Sequence, residues 1–378
     1  MKRGVKSCLL LSFALIALSV FIATPAFAKT STTVVGQQEI NDSLYLRFNN
    51  SPSNSGFFDG RYNGEYTFSC YQNFSFTPDG KYIFANSVAK KGGTFSTGLM
   101  CFSNDGKIAE FLDGTVLQYY GHSEVLAVSQ PDLSQPKYHI WVAKCKKKYP
   151  KTKEQSYGTS IERLTVTVDG GRRAIAVVDK IEIKDFVNAN VVQTKKGKRK
   201  AAKFKYGKPE RVAAAASQDS NRLAFRLKFK TGKGTNFIIY DLNMLSADMD
   251  AMVAQGKTVY NMKRAKDFMI SNTRCNLVPL GGFQSFDVDD TSLYIAGHSV
   301  KKVKYMAEIY KIPYKNTVKE VDKTKMKSIK QRIKFQNELE FEGVKVKHEG
   351  DRTAYYFDFI IAPGGWLRYD QFLYKIYR

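Results

Sequence analysis

Five positions hold the same place in a recurring strand pattern: Gln72, Glu124, Ala213, Gln284 and Glu340. Four of the five carry a side-chain carbonyl or carboxylate where an alternating strand calls for an apolar residue. If the strands line one axis, Gln72, Glu124, Gln284 and Glu340 form a central-channel ring. Such a ring can hold a cation or ordered water, but more often these groups satisfy buried backbone and one another. Glu124 and Glu340 facing across a channel would also supply the two carboxyl groups that sugar cleavage needs on opposite sides of a bond. Acidic residues are scarce, however, and the pair falls in a repeating structural position, so catalysis is the minority reading and no catalytic residue is assigned.

Other chemistry is poorly represented. The four histidines, His122, His139, His298 and His348, form no His-Glu-x-x-His pair, and Gly-x-Ser-x-Gly is absent. Asp287, Asp289 and Asp290 lack the glycine and the distal glutamate of a calcium loop and read as a hairpin turn. The expectation is a non-enzymatic protein with no metal and no cofactor.

The stronger signal is basic. One segment carries Lys144, Lys146, Lys147, Lys148, Lys151 and Lys153; a second carries Lys195, Lys196, Lys198, Arg199, Lys200, Lys203, Lys205 and Lys208, with Phe204 and Tyr206 alternating among the lysines. From Lys146 to Lys153 and from Lys195 to Lys205 these side chains are the expected polyanion-binding residues, since many exposed cations on one loop attract an anionic polymer through weak, salt-screened contacts. The bland alternative, a solvated run that only keeps the chain soluble, weighs about equally.

What the partner would be depends on where the chain goes. Residues 1–28 place Lys2, Arg3 and Lys6 ahead of an apolar stretch at 8–22, followed by Ala26-Phe27-Ala28, and read as a signal peptide cut after Ala28. The apolar stretch is short for a bilayer span, so no transmembrane anchor is expected after removal. Lys2, Arg3 and Lys6 leave with it, and a formal net charge of +24 becomes +21. Outside the cell the polyanions at hand are wall polymers such as teichoic acids and anionic lipid head groups, which displaces nucleic acid as the partner. The reading is a secreted chain, held at a cell wall by charge if at all. Cys70, Cys101, Cys145 and Cys275 remain, too scattered for a disulfide scaffold; Cys70 with Cys101 is the one pairing worth weighing.

The elements that must position these residues are strands. Residues 282–314 show a complete unit: an alternating run, the polar turn Asp289-Asp290-Thr291-Ser292, a short apolar run, a basic loop at 301–304 and a third strand that ends at Pro313. Similar meanders begin near Tyr71, Ser123, Val212 and Leu339, with turns such as Thr77-Pro78-Asp79-Gly80 and Asp169-Gly170-Gly171. The last unit has three strands, and an orphan strand at 43–49 can supply the fourth by pairing with 371–377. The fold class is therefore all-β, a five-bladed β-propeller of antiparallel meanders with one short helix, at 242–253, in an inter-blade insertion; an open sandwich is the alternative. Met244, Leu245, Met249 and Met252 are at helical spacing and read as core filler. Residues 29–42 read as a flexible N-terminal segment and 43–378 as a single domain. Trp366, after Gly364-Gly365, would close a gap between blades or offer a platform to a sugar.

These stretches resemble the helveticin J family of large secreted bacteriocins. The resemblance runs from about Tyr71 to the carboxyl end: Tyr71-Gln72, Gly121-His122-Ser123-Glu124, the stretch 214–219 followed by Phe237-Ile238-Ile239-Tyr240-Asp241-Leu242, then Phe283-Gln284-Ser285-Phe286-Asp287-Val288-Asp289, Ile309-Tyr310-Lys311-Ile312-Pro313-Tyr314 and Glu340-Phe341-Glu342. Arg211 and Ala213 stand where the family tends to have His and Glu. The resemblance implies an exported protein that inhibits or kills related Gram-positive bacteria. Set beside it are a surface-layer-associated binding or adhesion protein on the producer's own wall, and a cell-wall hydrolase.

Overall fold

The computed structural model describes residues 31–35, 44–48, 65–118, 120, 125–169, 174–230, 234–277, 280–299, 307–323, 331–335, 340–361 and 370–378. Five small antiparallel sheets stand in a ring, a five-bladed β-propeller. Blade 1 is Thr67–Phe76, Tyr82–Lys91, Thr94–Ser103 and Phe111–Leu117; blade 2 is Leu126–Ser129, Lys137–Cys145, Gly158–Val168 and Ile175–Lys184. Blade 3 is Arg211–Ala216, Arg222–Lys228, Thr235–Asp241 and Met269–Cys275; blade 4 is Leu280–Val288, Ser292–Ser299, Ala307–Pro313 and Gln331–Phe335. Blade 5 is Glu340–Glu349, Arg352–Ile361, Asp370–Tyr377 and, from the other end of the chain, Leu44–Phe48. The first strand of each blade is innermost, and these five strands touch in cyclic order.

Ring closure follows the expected pairing. Leu44 stands opposite Tyr374, Leu46 opposite Leu373 and Arg47 opposite Phe372, antiparallel and with one bulge. Phe48 drives its ring into the core of blade 1, 4.8 Å from Tyr71 and 5.0 Å from Phe102 between centroids. The closing strand is thus held by a hydrogen-bonded ladder on one side and aromatic packing on the other.

Four of the blades gain a fifth, parallel strand from their neighbour. Val259–Asn261 of blade 3 pairs with the outer strand of blade 2, Val321–Lys323 of blade 4 with that of blade 3, Ser31–Val35 with that of blade 4, and Ile108–Ala109 of blade 1 with Leu44–Phe48 of blade 5. Each strap comes from the segment before its own blade's fourth strand. At the junction of blades 1 and 2 the Asp113 carboxylate on blade 1 accepts from the Ile175 backbone N–H of blade 2 at 3.0 Å. These straps cover edges that would otherwise offer unpaired backbone to another chain.

They also correct three expectations. Ser31–Val35, expected within a flexible segment, is a strand; the rest of 29–42 lies outside the described residues. The first unit's fourth strand, expected over 108–112, splits: Ile108–Ala109 pairs with Leu44–Phe48 of blade 5, and the fourth strand of blade 1 starts at Phe111. Helix α1, Leu242–Ala254, lies inside blade 3, between its third and fourth strands, rather than in an inter-blade insertion. Asp241 caps α1 by accepting from the Met244 N–H at 2.9 Å. Leu245 and Met249 are buried as expected, Met252 packs against the core, and Met244 faces outward, more than half exposed.

The inner strands all run the same way, so the molecule has two unlike faces. Turns between first and second strands lie on one, the turn face. Loops between second and third strands, and connections between blades, lie on the other, the loop face. On the turn face Thr77-Pro78-Asp79-Gly80 and Ser217-Gln218-Asp219-Ser220 close identically: the hydroxyl of Thr77 or Ser217 donates to the Asp two residues on, and the fourth residue adopts φ +74° in Gly80 and +59° in Ser220. Their tips meet across blades. Gln218 donates to the Thr77 carbonyl at 3.0 Å, the Gln130 N–H to Ser220 Oγ at 3.1 Å, and the Gln130 amide group both donates to and accepts from Asp79.

Beneath these tips Lys345 of blade 5 reaches across the axis. Its Nζ is 3.4 Å from the Leu126 carbonyl of blade 2 and 3.9 Å from Asp287 Oδ1 of blade 4; Asp287 Oδ2 accepts from the Val346 N–H at 2.7 Å. Burial pushes the Asp287 carboxyl up to about 6, against the pull of Lys345, and lowers the Lys345 ammonium.

Replacing Lys345 by Met strands the buried Asp287 carboxylate, and the expected cost is about 3–5 kcal/mol in urea unfolding at pH 7.5. Adding Asp287→Asn should recover much of it, because both charges are then gone. Phe48→Ala should cost about 3–5 kcal/mol by emptying the closure pocket, read as a lower thermal midpoint.

Candidate functional site

Both basic segments emerge on the loop face. Lys146, Lys147, Lys148, Lys151 and Lys153 lie exposed in the loop between the second and third strands of blade 2. The second segment is part of the connection from blade 2 to blade 3, built around a hairpin of Asn190–Gln193 and Arg199–Ala202. Lys195, Lys196 and Lys198 are exposed at its tip, and Lys200, Lys203 and Lys205 are exposed along its return. The alternation in the sequence has a physical reason: Phe204 is buried, 5.3 Å from Phe229, and Tyr206 packs 5.4 Å from the same ring, which leaves the intervening lysines outward.

Two of the expected polyanion contacts have other work. Arg199 turns inward and donates from Nη1 to the Asp267 carbonyl at 2.9 Å and to the Met269 carbonyl at 2.8 Å, pinning the hairpin to blade 3. Lys205 stands 3.9 Å from Glu320, which also accepts from the Tyr206 hydroxyl at 2.9 Å. Lys144 is likewise committed, as described below. The basic loop 301–304 and the Gly364-Gly365-Trp366 stretch lie outside the described residues.

The two basic segments meet at a cleft of about 850 Å³ between blades 2 and 3. Lys146 comes from the first segment and Lys208 from the second, joined by Lys184 and Lys230; Ser160 and Thr159 supply hydroxyls. Neither Lys184 nor Lys230 stands in one of the two dense basic runs of the sequence: Lys184 ends a strand of alternating residues, and Lys230 lies two residues past the end of another. On the cleft wall, Lys144 Nζ bridges Glu162 Oε1 at 3.2 Å and Glu182 Oε2 at 3.1 Å; Ser160 Oγ donates to Glu182 Oε1 at 2.7 Å and Lys184 lies 3.1 Å from Glu182. The carboxylates split. Burial pushes Glu162 up to about 7, helped by Glu182, while for Glu182 the donors Ser160, Lys184 and Lys144 overcome partial burial and hold it low. Glu162 is only 3% exposed and clamped by Lys144, the arrangement of a structural ion cluster.

The central-channel ring is placed as follows. Gln72 donates to Cys70 Sγ on its own strand at 3.2 Å and the Gln284 amide nitrogen lies 2.6 Å from His298 Nε2 in its own blade. Ala213 is buried. Glu124 and the Glu340 side chain lie outside the described residues. A β-carbon on Gly343 would sit 3.1 Å from Phe74 and 3.5 Å from Asn73, so the residue level with Gln72 in blade 5 is Glu342, two positions past Glu340. The described polar group that crosses the axis is Lys345, which the alternation in its strand disguises as an outward lysine.

The carboxylate of Asp289 accepts from the Thr291 and Ser292 N–H groups at 2.6 and 2.7 Å, from the Thr291 and Tyr294 hydroxyls, and lies 3.0 Å from His348 Nε2: a capped hairpin turn, with its oxygens in use. Among the described residues no group of three His, Cys, Asp or Glu is placed to hold a metal ion, and no helix is long and apolar enough to cross a membrane. None of Cys70, Cys101, Cys145 and Cys275 is joined to another by a disulfide, the Cys70–Cys101 pairing included.

Glu162 offers a pH test. Its carboxyl binds a proton more tightly folded, near pH 7, than unfolded, near pH 4.3, so between those values the folded state holds the extra proton and stability falls as pH rises. Glu162→Gln should therefore flatten the decline in unfolding free energy between pH 5 and pH 7.5 by about 2 kcal/mol.

Comparison with known proteins places the chain. No curated protein sequence matches it. Among solved structures it is similar to an exo-β-1,3-galactanase from Clostridium thermocellum (8% identity, 79% of this chain and 57% of that one, TM-score 0.38) and to a β-fructofuranosidase from Bombyx mori crystallised with sucrose (10%, 84% and 63%, TM-score 0.37). It is also similar to a subtype N10 neuraminidase-like protein of A/little yellow-shouldered bat/Guatemala/060/2010 (9%, 83% and 93%, TM-score 0.37). The chain thus spans little more than half the galactanase's length, and likenesses this distant carry no argument about function. The family comparison is decisive by contrast: the family described as bacteriocin helveticin-J matches residues 104–356, from just past the third strand of blade 1 into the second strand of blade 5. Matched over about two thirds of its length, the chain belongs to the helveticin J bacteriocin family.

Proposed function

We propose that this chain is a secreted cationic bacteriocin whose loop face grips the anionic envelope of related Gram-positive bacteria and which inhibits or kills them without bond-breaking chemistry of its own. The observation that carries this reading is the emergence of both basic segments on one face, meeting at one cleft. A repeating polyanion such as a teichoic acid suits that surface, because exposed lysines spaced along two projecting segments gain from every phosphate they meet while each single contact stays weak. Family membership supports the antibacterial end of the reading, and residues 1–28 support export.

Purified mature protein spotted on lawns of related strains should give a dose-dependent zone. No zone at any dose, with walls still bound, would favour a surface-retained adhesion protein. A clearing band on wall-embedded gels would favour a wall hydrolase. Retention on isolated walls should fall as salt rises and fall again when teichoic acids are stripped. Changing Lys146, Lys147, Lys148, Lys195, Lys196 and Lys198 together to Gln should weaken retention at least about tenfold, since each exposed charge contact contributes a few tenths of a kcal/mol. Retention indifferent to salt, stripping and substitution would rule out the electrostatic grip.

A further inference from the structure

Two asparagines, Asn236 and Asn272, are fully buried on the third and fourth strands of blade 3 and form a chain of amides that leads out to Asn190 and Glu320. Asn236 Nδ2 donates to Asn272 Oδ1 at 2.9 Å and to Glu320 Oε2 at 2.8 Å; Asn272 Nδ2 donates to Asn190 Oδ1 at 3.1 Å. The Tyr206 hydroxyl donates to Glu320 Oε1 at 2.9 Å and the Val191 N–H to Asn190 Oδ1 at 3.0 Å, so both outer groups are fixed from two sides. Asn236 Oδ1, meanwhile, is sealed from solvent and takes no donor among the described residues. A buried acceptor left unsatisfied lowers stability, and here that cost accompanies the placing of one carboxylate and one amide.

Glu320 and Asn190 line a pocket of about 460 Å³, a small-molecule volume. It lies between the hairpin of Asn190–Gln193 and Arg199–Ala202 and the segment that leads into the strap Val321–Lys323, and it shares no lining residue with the cleft between blades 2 and 3. Part of its wall is apolar, with Val191 and Phe204 buried and Val192 exposed. Its polar groups are mixed in kind. Asn190 Nδ2 and the Lys203 and Lys319 ammonium groups can donate and Gln193 Oε1 can accept, and none of these has a partner among the described residues. The Glu320 carboxylate keeps lone pairs beyond the two hydrogen bonds that hold it, because a carboxylate can accept about four.

An inorganic anion fits this set poorly, since Glu320 would stand against it. A sugar fits it well: each hydroxyl both donates and accepts, so a single ring can meet a carboxylate, an amide and an ammonium while its C–H face lies on the apolar wall. We infer that this pocket binds a sugar ring, hydrogen-bonded to Glu320 and Asn190. The proposed function enters only in the source of the sugar, a glycosyl unit of an anionic envelope polymer whose phosphates meet the lysines around the pocket; the site itself does not rest on it.

Saturation-transfer NMR on the full mature protein, with N-acetylglucosamine, glucose and galactose as separate probes, tests the pocket. At least one sugar should show saturable transfer with a Kd on the order of 1 mM. Glu320→Gln should weaken that sugar at least about tenfold, because hydrogen bonds to a charged acceptor are the stronger ones. Val192→Lys, at an exposed strand position, replaces an apolar contact by an ammonium and should weaken it at least about threefold; it decides the matter if Glu320→Gln fails to fold. The triple change of Lys146, Lys147 and Lys148 to Gln, in the other basic segment, should leave the affinity unchanged. A wild type silent toward all three sugars, or transfer that survives both Glu320→Gln and Val192→Lys, would overturn the pocket even if walls are still bound through the lysines. Sugar binding lost in those two variants would uphold it even if no zone forms and wall retention ignores salt.

Discussion

Closing five twisted sheets around one axis brings five inner strands together at close range, and what fills the space between them decides whether the ring holds. Here the filling is polar at one end. Lys345 spans the axis to Asp287 and the Leu126 carbonyl, and above it Gln130 and Gln218 tie the turn tips of blades 1, 2 and 3 to one another. Side chains of this kind satisfy backbone groups that an apolar plug would leave unpaired, at the cost of burying a charge pair.

The loop face carries both basic segments. Insertions there do not disturb the axis, and the parallel straps hold four of the outer edges while chain is added between strands or between blades. Both basic segments exploit this. Each is anchored by a few inward residues, Phe204, Tyr206 and Arg199 in the second segment and Cys145 and Pro150 beside the first, so that the lysines between them project. Charge is therefore displayed on a fixed scaffold, which lowers the ordering cost of meeting a polymer.

Much of the architecture was legible in the sequence because the signals were local. Turns such as Thr77-Pro78-Asp79-Gly80 sit between alternating runs, and an orphan strand at one end matched a three-stranded unit at the other. The straps were not legible: segments of two to five residues, paired in parallel across blades, carry no pattern of their own. For the same reason residues 108–109 read as part of blade 1, and the fourth strands of blades 3 and 4 were missed behind a helix and a long connection. Side-chain commitments were harder still. Arg199 reads as one more cation in a basic run and Lys345 as an outward lysine; only the neighbours brought by the fold, two carbonyls and a carboxylate, tell them apart.

One grip on one face is the claim that joins fold to function. Hydrogen exchange of the protein bound to teichoic-acid-bearing walls, compared with the free protein, tests it most directly. The account predicts new protection at residues 146–153 and 195–208 and none at the turns 77–80 and 217–221. Protection centred on those turns, or spread evenly over both faces, would contradict it.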